Sequence, residues 1–136
     1  MYKVAVLATA LALVACGEPT ASVGDICNTM LDGDAQAIAD IRREGIDPAE
    51  MCACIGVTVD AMADNKKAAQ IGVFKSVTAI RAAKGIGVDE AVFELGDELR
   101  AGTGGYAFTE DDFDYTHELI VGVMNQLEDG GTCKAG

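Results

Sequence analysis

The sequence predicts an all-α fold, a small disulfide-stapled bundle of about five to six helices. Three observations support this prediction. Apolar residues recur three and four positions apart, whereas no segment shows the sustained alternation of a half-buried strand. Helix start and stop signals recur along the chain, and four cysteines lie beyond residue 22. The core is therefore expected to form between helix faces, with covalent bridges to supplement it.

Composition limits the size of the protein and the partners it can bind. The 136 residues suit one small domain, and 50% of them are hydrophobic although only 5% are aromatic. Lysine and arginine number 10 against 22 aspartates and glutamates, which gives a formal net charge of −12. Because nucleic acids are bound through basic surfaces, we expect no nucleic-acid partner.

Six helices are predicted from the apolar spacing and from the glycines that follow four of the runs. Glycine favours the left-handed conformation in which many helices end. It stands at four of the expected ends, at Gly33, Gly45, Gly85 and Gly102. The predicted helices span 23–32, 35–44, 48–64, 66–84, 90–101 and 110–128.

Three of these helices carry recognisable N-terminal caps. The segment 47–50, Asp-Pro-Ala-Glu, has the pattern of a capping box with proline at the first helical position. The segment 109–112, Thr-Glu-Asp-Asp, repeats the pattern with aspartate in the role of the glutamate. Asp89 is the third candidate cap.

Each of the three longest predicted helices has an apolar face that we expect to point into the core. These faces comprise Met51, Ile55, Val59 and Met62; Val73, Phe74, Val77 and Ile80; and Phe113, Ile120, Val123, Met124 and Leu127. Because aromatic residues are scarce, the core is expected to consist of small groups, which covalent bridges would compensate.

Residues 1–15 have the pattern of a secretory signal peptide. Lys3 gives a short positive start, and the twelve residues 4–15 are apolar except for Thr9. Such a run is too short to cross the ~30 Å core of a bilayer as a helix, but it fits the apolar region of a signal peptide. We therefore predict export.

The segment 13–16, Leu-Val-Ala-Cys, resembles the lipobox of bacterial lipoproteins. The resemblance implies that Cys16 receives a diacylglyceryl group, that residues 1–15 are removed, and that the new amine is acylated. Two or three acyl chains anchor a protein stably where one does not. The predicted organisation is then a signal peptide at 1–15, a lipidated cysteine and tether at 16–22, a helical domain at 23–133 and a tail at 134–136.

The residue after Cys16 is Gly17 and not aspartate. By the same resemblance, this implies an outer-membrane anchor with the domain facing the periplasm. The inner membrane remains an alternative. So does a soluble periplasmic form, which would follow from a plain signal peptide cleaved elsewhere, for example after Ala12.

The four remaining cysteines are expected to form two disulfides, because an exported chain folds in an oxidising compartment. A bond between Cys52 and Cys54 is disfavoured on a helix, since side chains at i and i+2 point about 200° apart. Each of them is therefore expected to pair with either Cys27 or Cys133. We favour Cys27–Cys52 with Cys54–Cys133, and the opposite assignment stays open.

The order of these cysteines resembles that of a class of small secreted bacterial helical proteins of unassigned function. The class shares an early cysteine, a Cys-x-Cys at a helix start and a late cysteine, which here are Cys27, the segment 52–54 and Cys133. The resemblance implies a stapled helical domain and implies no activity.

The sequence contains no recognisable catalytic set. Cys52 and Cys54 suggest thiol chemistry, but the adjacent Glu50 disfavours a thiolate. His117 is the only histidine, and we expect it at the edge of an apolar face. The acidic segments 32–34 and 110–114 lack the pattern of a calcium loop and are expected to form caps and solvated faces. We therefore expect no enzyme activity, no metal site and no cofactor.

These observations predict a non-enzymatic lipoprotein that acts by binding. Its partners would be the lipid bilayer, through acylated Cys16, and an envelope protein or a basic peptide that matches the acidic surface. The alternatives are a thiol–disulfide redox protein that uses Cys52 and Cys54, and a carrier of a metal or small ligand.

Overall fold

A computed structural model describes residues 21–134, so the predicted signal peptide and Cys16 lie outside the described range. Within that range the chain forms six α-helices, one short 3-10 helix and no strand, which confirms the all-α prediction. The helices are α1 Val23–Leu31, α2 Ala35–Arg43, α3 Pro48–Asp60, α4 Asp64–Lys84, α5 Val88–Ala101 and α6 Glu110–Leu127, followed by the 3-10 helix Glu128–Gly130.

The largest difference from the predicted ranges lies between α3 and α4. α3 ends at Asp60 and not at 64, and a turn over 61–63 precedes α4. The acidic Asp64 then stands in the first turn of α4, where the positive end of the helix dipole favours it. The turn allows α4 to pack back against α1.

Two of the predicted caps are present. The hydroxyl of Thr109 accepts a hydrogen bond from the N–H of Asp112 at 3.2 Å, and the Asp112 carboxylate accepts one from the N–H of Thr109 at 3.1 Å. This is the reciprocal box that the sequence predicts. Asp47 accepts from the N–H of Ala49 at 3.1 Å, which makes a plain cap and not a box.

The prediction that Asp89 caps the fifth helix is wrong. α5 begins two residues earlier than predicted, with Gly87 as its N-cap and Asp89 inside its first turn. The physical reason is a distant carboxylate. Asp34 accepts a hydrogen bond from the N–H of Val88 at 2.7 Å, and so satisfies a donor at the helix start that a local cap would otherwise take.

The predicted apolar faces point inward, although not all to the same depth. The fully buried members are Met51, Ile55 and Val59 of α3, Val73, Phe74 and Val77 of α4, and Val123 and Leu127 of α6. The partly buried members are Met62, Ile80, Phe113, Ile120 and Met124. Three of these five belong to α6, so its predicted face is the least completely covered of the three.

The contact between α1 and α3 is the most extensive between any two helices described. Gly24 and Gly56 meet there, and a Cβ atom placed on Gly56 would lie 3.1 Å from the backbone nitrogen of Gly24. Both members of the Cys27–Cys52 disulfide, whose Cα atoms are 5.4 Å apart, are fully buried between the same two helices. The missing side chains let the backbones approach, and the disulfide holds them together.

A second disulfide joins Cys54 to Cys133, with Cα atoms 5.5 Å apart, so the structure contains the pairing that the sequence analysis favours. Cys54 is buried on α3, whereas Cys133 lies exposed in the tail. The N–H of Lys134 also donates to the side-chain oxygen of Gln126 at 2.8 Å. The tail is therefore fastened to two helices.

Candidate functional site

An open groove of about 510 Å³ runs between α2 and α6. These two helices make hardly any contact with each other, whereas α4 packs against α6 and contributes to the lining from below. The volume falls within the ~300–1,000 Å³ that is typical of ligand pockets. This groove is the candidate functional site.

The walls of the groove are stripes of residues at helical spacing. On α2 the lining residues are Ala37, Asp40, Ile41 and Glu44. On α6 and just beyond it they are Phe113, Thr116, His117, Ile120, Val121, Met124, Asn125 and Glu128. From the first to the last of these positions the second stripe is about 22 Å long, at ~1.5 Å per residue.

The floor of the groove is apolar and comes from the core helices. It consists of Met30 and Leu31 of α1, Met51 of α3, Val73, Phe74 and Val77 of α4, and Val88 with Val92 of α5. Most of these side chains are buried, and Val92 is exposed at the edge. A ligand in the groove would therefore meet the core of the protein directly.

One buried polar side chain, Thr116, lies in this lining, and its hydrogen bonds are made within the protein. Its hydroxyl donates to the side-chain oxygen of Gln70 at 2.7 Å. The amide of Gln70, which is fully buried, donates to the backbone carbonyl of Asp112 at 3.3 Å. The pair joins α4 to α6 and leaves the floor without a polar group that requires a ligand.

The rim of the groove is acidic. Its four carboxylates are Asp40 and Glu44 on α2, Asp89 on α5 and Glu128 after α6, and none of the lining residues is a lysine or arginine. Asp40 pairs with Arg43 at 2.9 Å. Within residues 21–134, the other three carboxylates make no ion pair. Negative charge thus surrounds an apolar surface on more than one side.

Asp34 fixes the position of α2 beside the groove. Its carboxylate accepts hydrogen bonds from the N–H groups of Ala37, at 3.0 Å, and Val88, at 2.7 Å. Led by the bond from Val88, these contacts hold the pKa of Asp34 below its ordinary value. The buried carboxylate therefore stays charged and connects the start of α2 to the start of α5.

Arg81 completes this anchor from α4. Its guanidinium lies 3.9 Å from the Asp34 carboxylate and donates to the carbonyls of Met30, at 3.0 Å, and Asp32, at 2.6 Å. The end of α1 and the start of α2 are thus bound to the same side chain. Sequence patterns do not reveal this role, because Arg81 and Asp34 lie 47 positions apart.

The other predicted site residues are spread over the fold. Cys52 and Cys54 are bonded to different partners and not to each other. His117 is exposed at the groove. In the acidic segment 110–114, Asp112 caps α6 and pairs with Lys66 at 3.4 Å. Among the residues described, no cluster of three or more His, Cys, Asp or Glu side chains could hold a metal ion.

Comparison with known proteins adds no assignment. No family model, curated protein or solved structure matches this chain. In the part of the chain that the structure covers, no helix has the length and apolar character needed to span a membrane.

Proposed function

We propose that the protein is a non-enzymatic binding module, tethered to a membrane of the cell envelope by lipid on Cys16, that takes an apolar ligand into the groove between α2 and α6. One observation carries the binding role. Large side chains that the sequence places on the inner face of α6, Phe113, Ile120 and Met124, are only partly buried, because α2, the described helix across the groove, stands apart from α6.

Apolar surface of this kind is available for binding. Burial of apolar area contributes roughly 25 cal/mol per Å², and contiguous apolar patches on small proteins commonly mark interaction sites. Two valines on the rim, Val92 and Val121, are 37% and 40% exposed. A ligand that fills the groove would remove these rim residues, and the exposed parts of Phe113, Ile120 and Met124, from water.

The proposed anchor rests on the lipobox pattern around Cys16. Six residues, 17–22, separate this cysteine from the start of α1, so a fully extended tether spans at most about 25 Å from Cys16 to Val23. The binding domain would then remain close to the membrane surface, where envelope partners are concentrated.

Metabolic labelling with a palmitate analogue tests the anchor. The wild-type chain should incorporate the label and Cys16→Ser should not. An unlabelled wild type, or a labelled Cys16→Ser chain, would remove the lipoprotein proposal and leave the groove proposal in place.

Binding of N-phenyl-1-naphthylamine, a neutral apolar dye, tests the groove. The Cys16→Ser chain with both disulfides formed should enhance the dye fluorescence. Val121→Arg places a charge on the groove wall and should weaken binding by about tenfold, or 1.4 kcal/mol. Val57→Arg is the matched control, since Val57 is 51% exposed on α3 and does not line the groove. Equal effects of the two variants would contradict the assignment.

A further inference from the structure

We propose that the occupant of the groove is one basic amphipathic helix of about four turns, supplied by a partner protein. This inference rests on the proposed function and specifies the ligand of the same groove. Its basis is the geometry of two helix faces that line one groove without packing on each other, together with the charge around them.

The walls of the groove form the two sides of a space that no helix of residues 21–134 fills. The lining positions 37, 40, 41 and 44 of α2 have the i, i+3, i+4, i+7 spacing of a face that packs on a neighbouring helix. The lining positions of α6, from Phe113 to Glu128, continue the same spacing over about four turns. Both faces point into one shared space, and α2 and α6 are not in close contact.

The length of the α6 wall indicates a helix as the ligand. A stripe about 22 Å long matches a helix of about 15 residues. Amphipathic helices bind such apolar grooves through side chains at i, i+3 or i+4, and i+7. The floor of Val73, Phe74 and Val77 lies beneath the stripe and would receive those side chains.

The charges on the rim select a basic partner. Asp40 and Glu44 lie on one wall, while Asp89 and Glu128 belong to other elements that border the groove. In paired helices, charges that flank the apolar seam determine which partner is accepted. Lysine or arginine residues on both flanks of the incoming helix would lie against these four carboxylates. Three of the four, Glu44, Asp89 and Glu128, make no ion pair within the described range.

The same charges disfavour the other occupants. A second copy of this chain, with a net charge of −12, would place acidic surface against acidic surface. A phospholipid would bring its phosphate towards the carboxylates of the rim. An acyl chain without a headgroup would gain nothing from those carboxylates.

The experiment uses a designed peptide of about 14 residues, two repeats of Leu-Lys-Lys-Leu-Leu-Lys-Leu, which forms four turns of an amphipathic helix. It is titrated into the Cys16→Ser chain with both disulfides formed. We expect saturable 1:1 binding, a gain of helical circular dichroism by the peptide, and an affinity that falls as salt rises. The same peptide with glutamate in place of lysine should not bind.

Two matched triple variants locate the binding. The groove triple is Glu44→Gln, Asp89→Asn and Glu128→Gln. The control triple is Asp64→Asn, Asp114→Asn and Glu118→Gln, which removes the same charge from exposed residues outside the groove. Each triple alters one carboxylate in a first helical turn, Asp89 or Asp64, so their effects on helix stability are comparable.

The groove triple should weaken binding of the lysine peptide at least about tenfold, against less than about twofold for the control triple. Equal weakening would show non-specific attraction to an acidic protein and would overturn the proposal. If Val121→Arg weakens dye binding as expected but the lysine peptide does not bind, the helical ligand would be overturned and the proposed function would stand. Absence of both dye and peptide binding would remove both.

Discussion

The α1–α3 side of the molecule is closed, and the α2–α6 side is open. On the closed side two glycines let the backbones touch, and a buried disulfide joins the same helices. On the open side α2 and α6 stand apart and present Ile41, Phe113 and Met124 to a groove. The difference shows how a small protein can keep apolar surface uncovered. The Cys27–Cys52 bond on the closed side and the Cys54–Cys133 bond between α3 and the tail supply stability that the incomplete core on the open side does not.

The largest expected effect comes from the disulfide that closes the longer loop. Cys54 and Cys133 are 79 positions apart, so loss of the bond in Cys54→Ala/Cys133→Ala should lower the free energy of unfolding by about 4.5 kcal/mol in the chain-entropy account. Urea denaturation followed by circular dichroism measures this change.

Cys27→Ala/Cys52→Ala provides the comparison within the closed side. The separation of 25 positions predicts a loss of about 3.5 kcal/mol from loop entropy. A loss below about 1 kcal/mol for both double variants would show that the disulfides do not compensate for the open side.

The next largest loss of stability should follow when the hydrogen bonds of Asp34 that hold α2 in place are removed. Asp34→Ala removes a cap and a charged hydrogen bond to the N–H of Val88, and should cost about 2–3 kcal/mol. Hydrogen exchange should accelerate in Ala35–Arg43 more than in α3. Asp32→Ala is the control, because the Asp32 side chain is exposed and only its backbone carbonyl receives Arg81. Equal acceleration of hydrogen exchange in α2 and α3 would mean that Asp34 stabilises the whole fold and does not hold α2 in particular.

The closed side is expected to resist added volume. Gly56→Leu would force a side chain against the backbone of Gly24 and should cost about 1–3 kcal/mol. Dye binding should change little, because neither glycine lines the groove. A stable variant with weakened dye binding would show that a change between α1 and α3 alters the groove, and that the two sides of the molecule are not independent.

The fold was largely predictable from sequence because its signals are local. Caps such as Thr109 with Asp112, and glycines such as Gly85 and Gly102 with positive φ, mark helix ends within a few residues. Helix geometry predicted that Cys52 and Cys54 would not bond to each other, and of the two pairings it left open the favoured one is present. Where the deciding contact was distant, as for Asp34 at the start of α5, the local interpretation of Asp89 was wrong.

The groove was not predictable in the same way. The apolar face of α6 was recognisable, but a sequence pattern shows only that Phe113 and Ile120 share a face, not whether another helix covers it. The acidic positions Glu44 and Asp89 come together only through tertiary packing. The sequence contained one signal for the groove. Residues 37, 38 and 41 give α2 an apolar face, and the sequence assigned no neighbouring helix to that face.

A smaller loss of stability is expected at acidic pH. Hydrogen bonds from Val88 and Ala37 hold the pKa of Asp34 below its ordinary value, and the bond from the Thr109 backbone does the same for Asp112. Because the folded pKa values are the lower ones, this stabilisation is complete above the unfolded value of ~3.9 and is lost as pH falls through the folded values. Urea midpoints measured from pH 6 to pH 2 should decline in this window, and less steeply in Asp34→Asn. An equal decline in both chains would contradict the role of the buried carboxylate.

The smallest expected effect compares one substitution on the two sides. Glycine to alanine inside a helix stabilises by up to about 1 kcal/mol when the new methyl group has room. Gly122 in α6 meets no atom within 4 Å of a Cβ, whereas Gly56 in α3 meets the Gly24 backbone at 3.1 Å. Gly122→Ala should therefore raise the thermal midpoint, and Gly56→Ala should gain less or lose stability. Equal gains would mean that α1 and α3 have room between them for the added methyl group. The Cys27–Cys52 bond, more than the glycine contact, would then hold these two helices together.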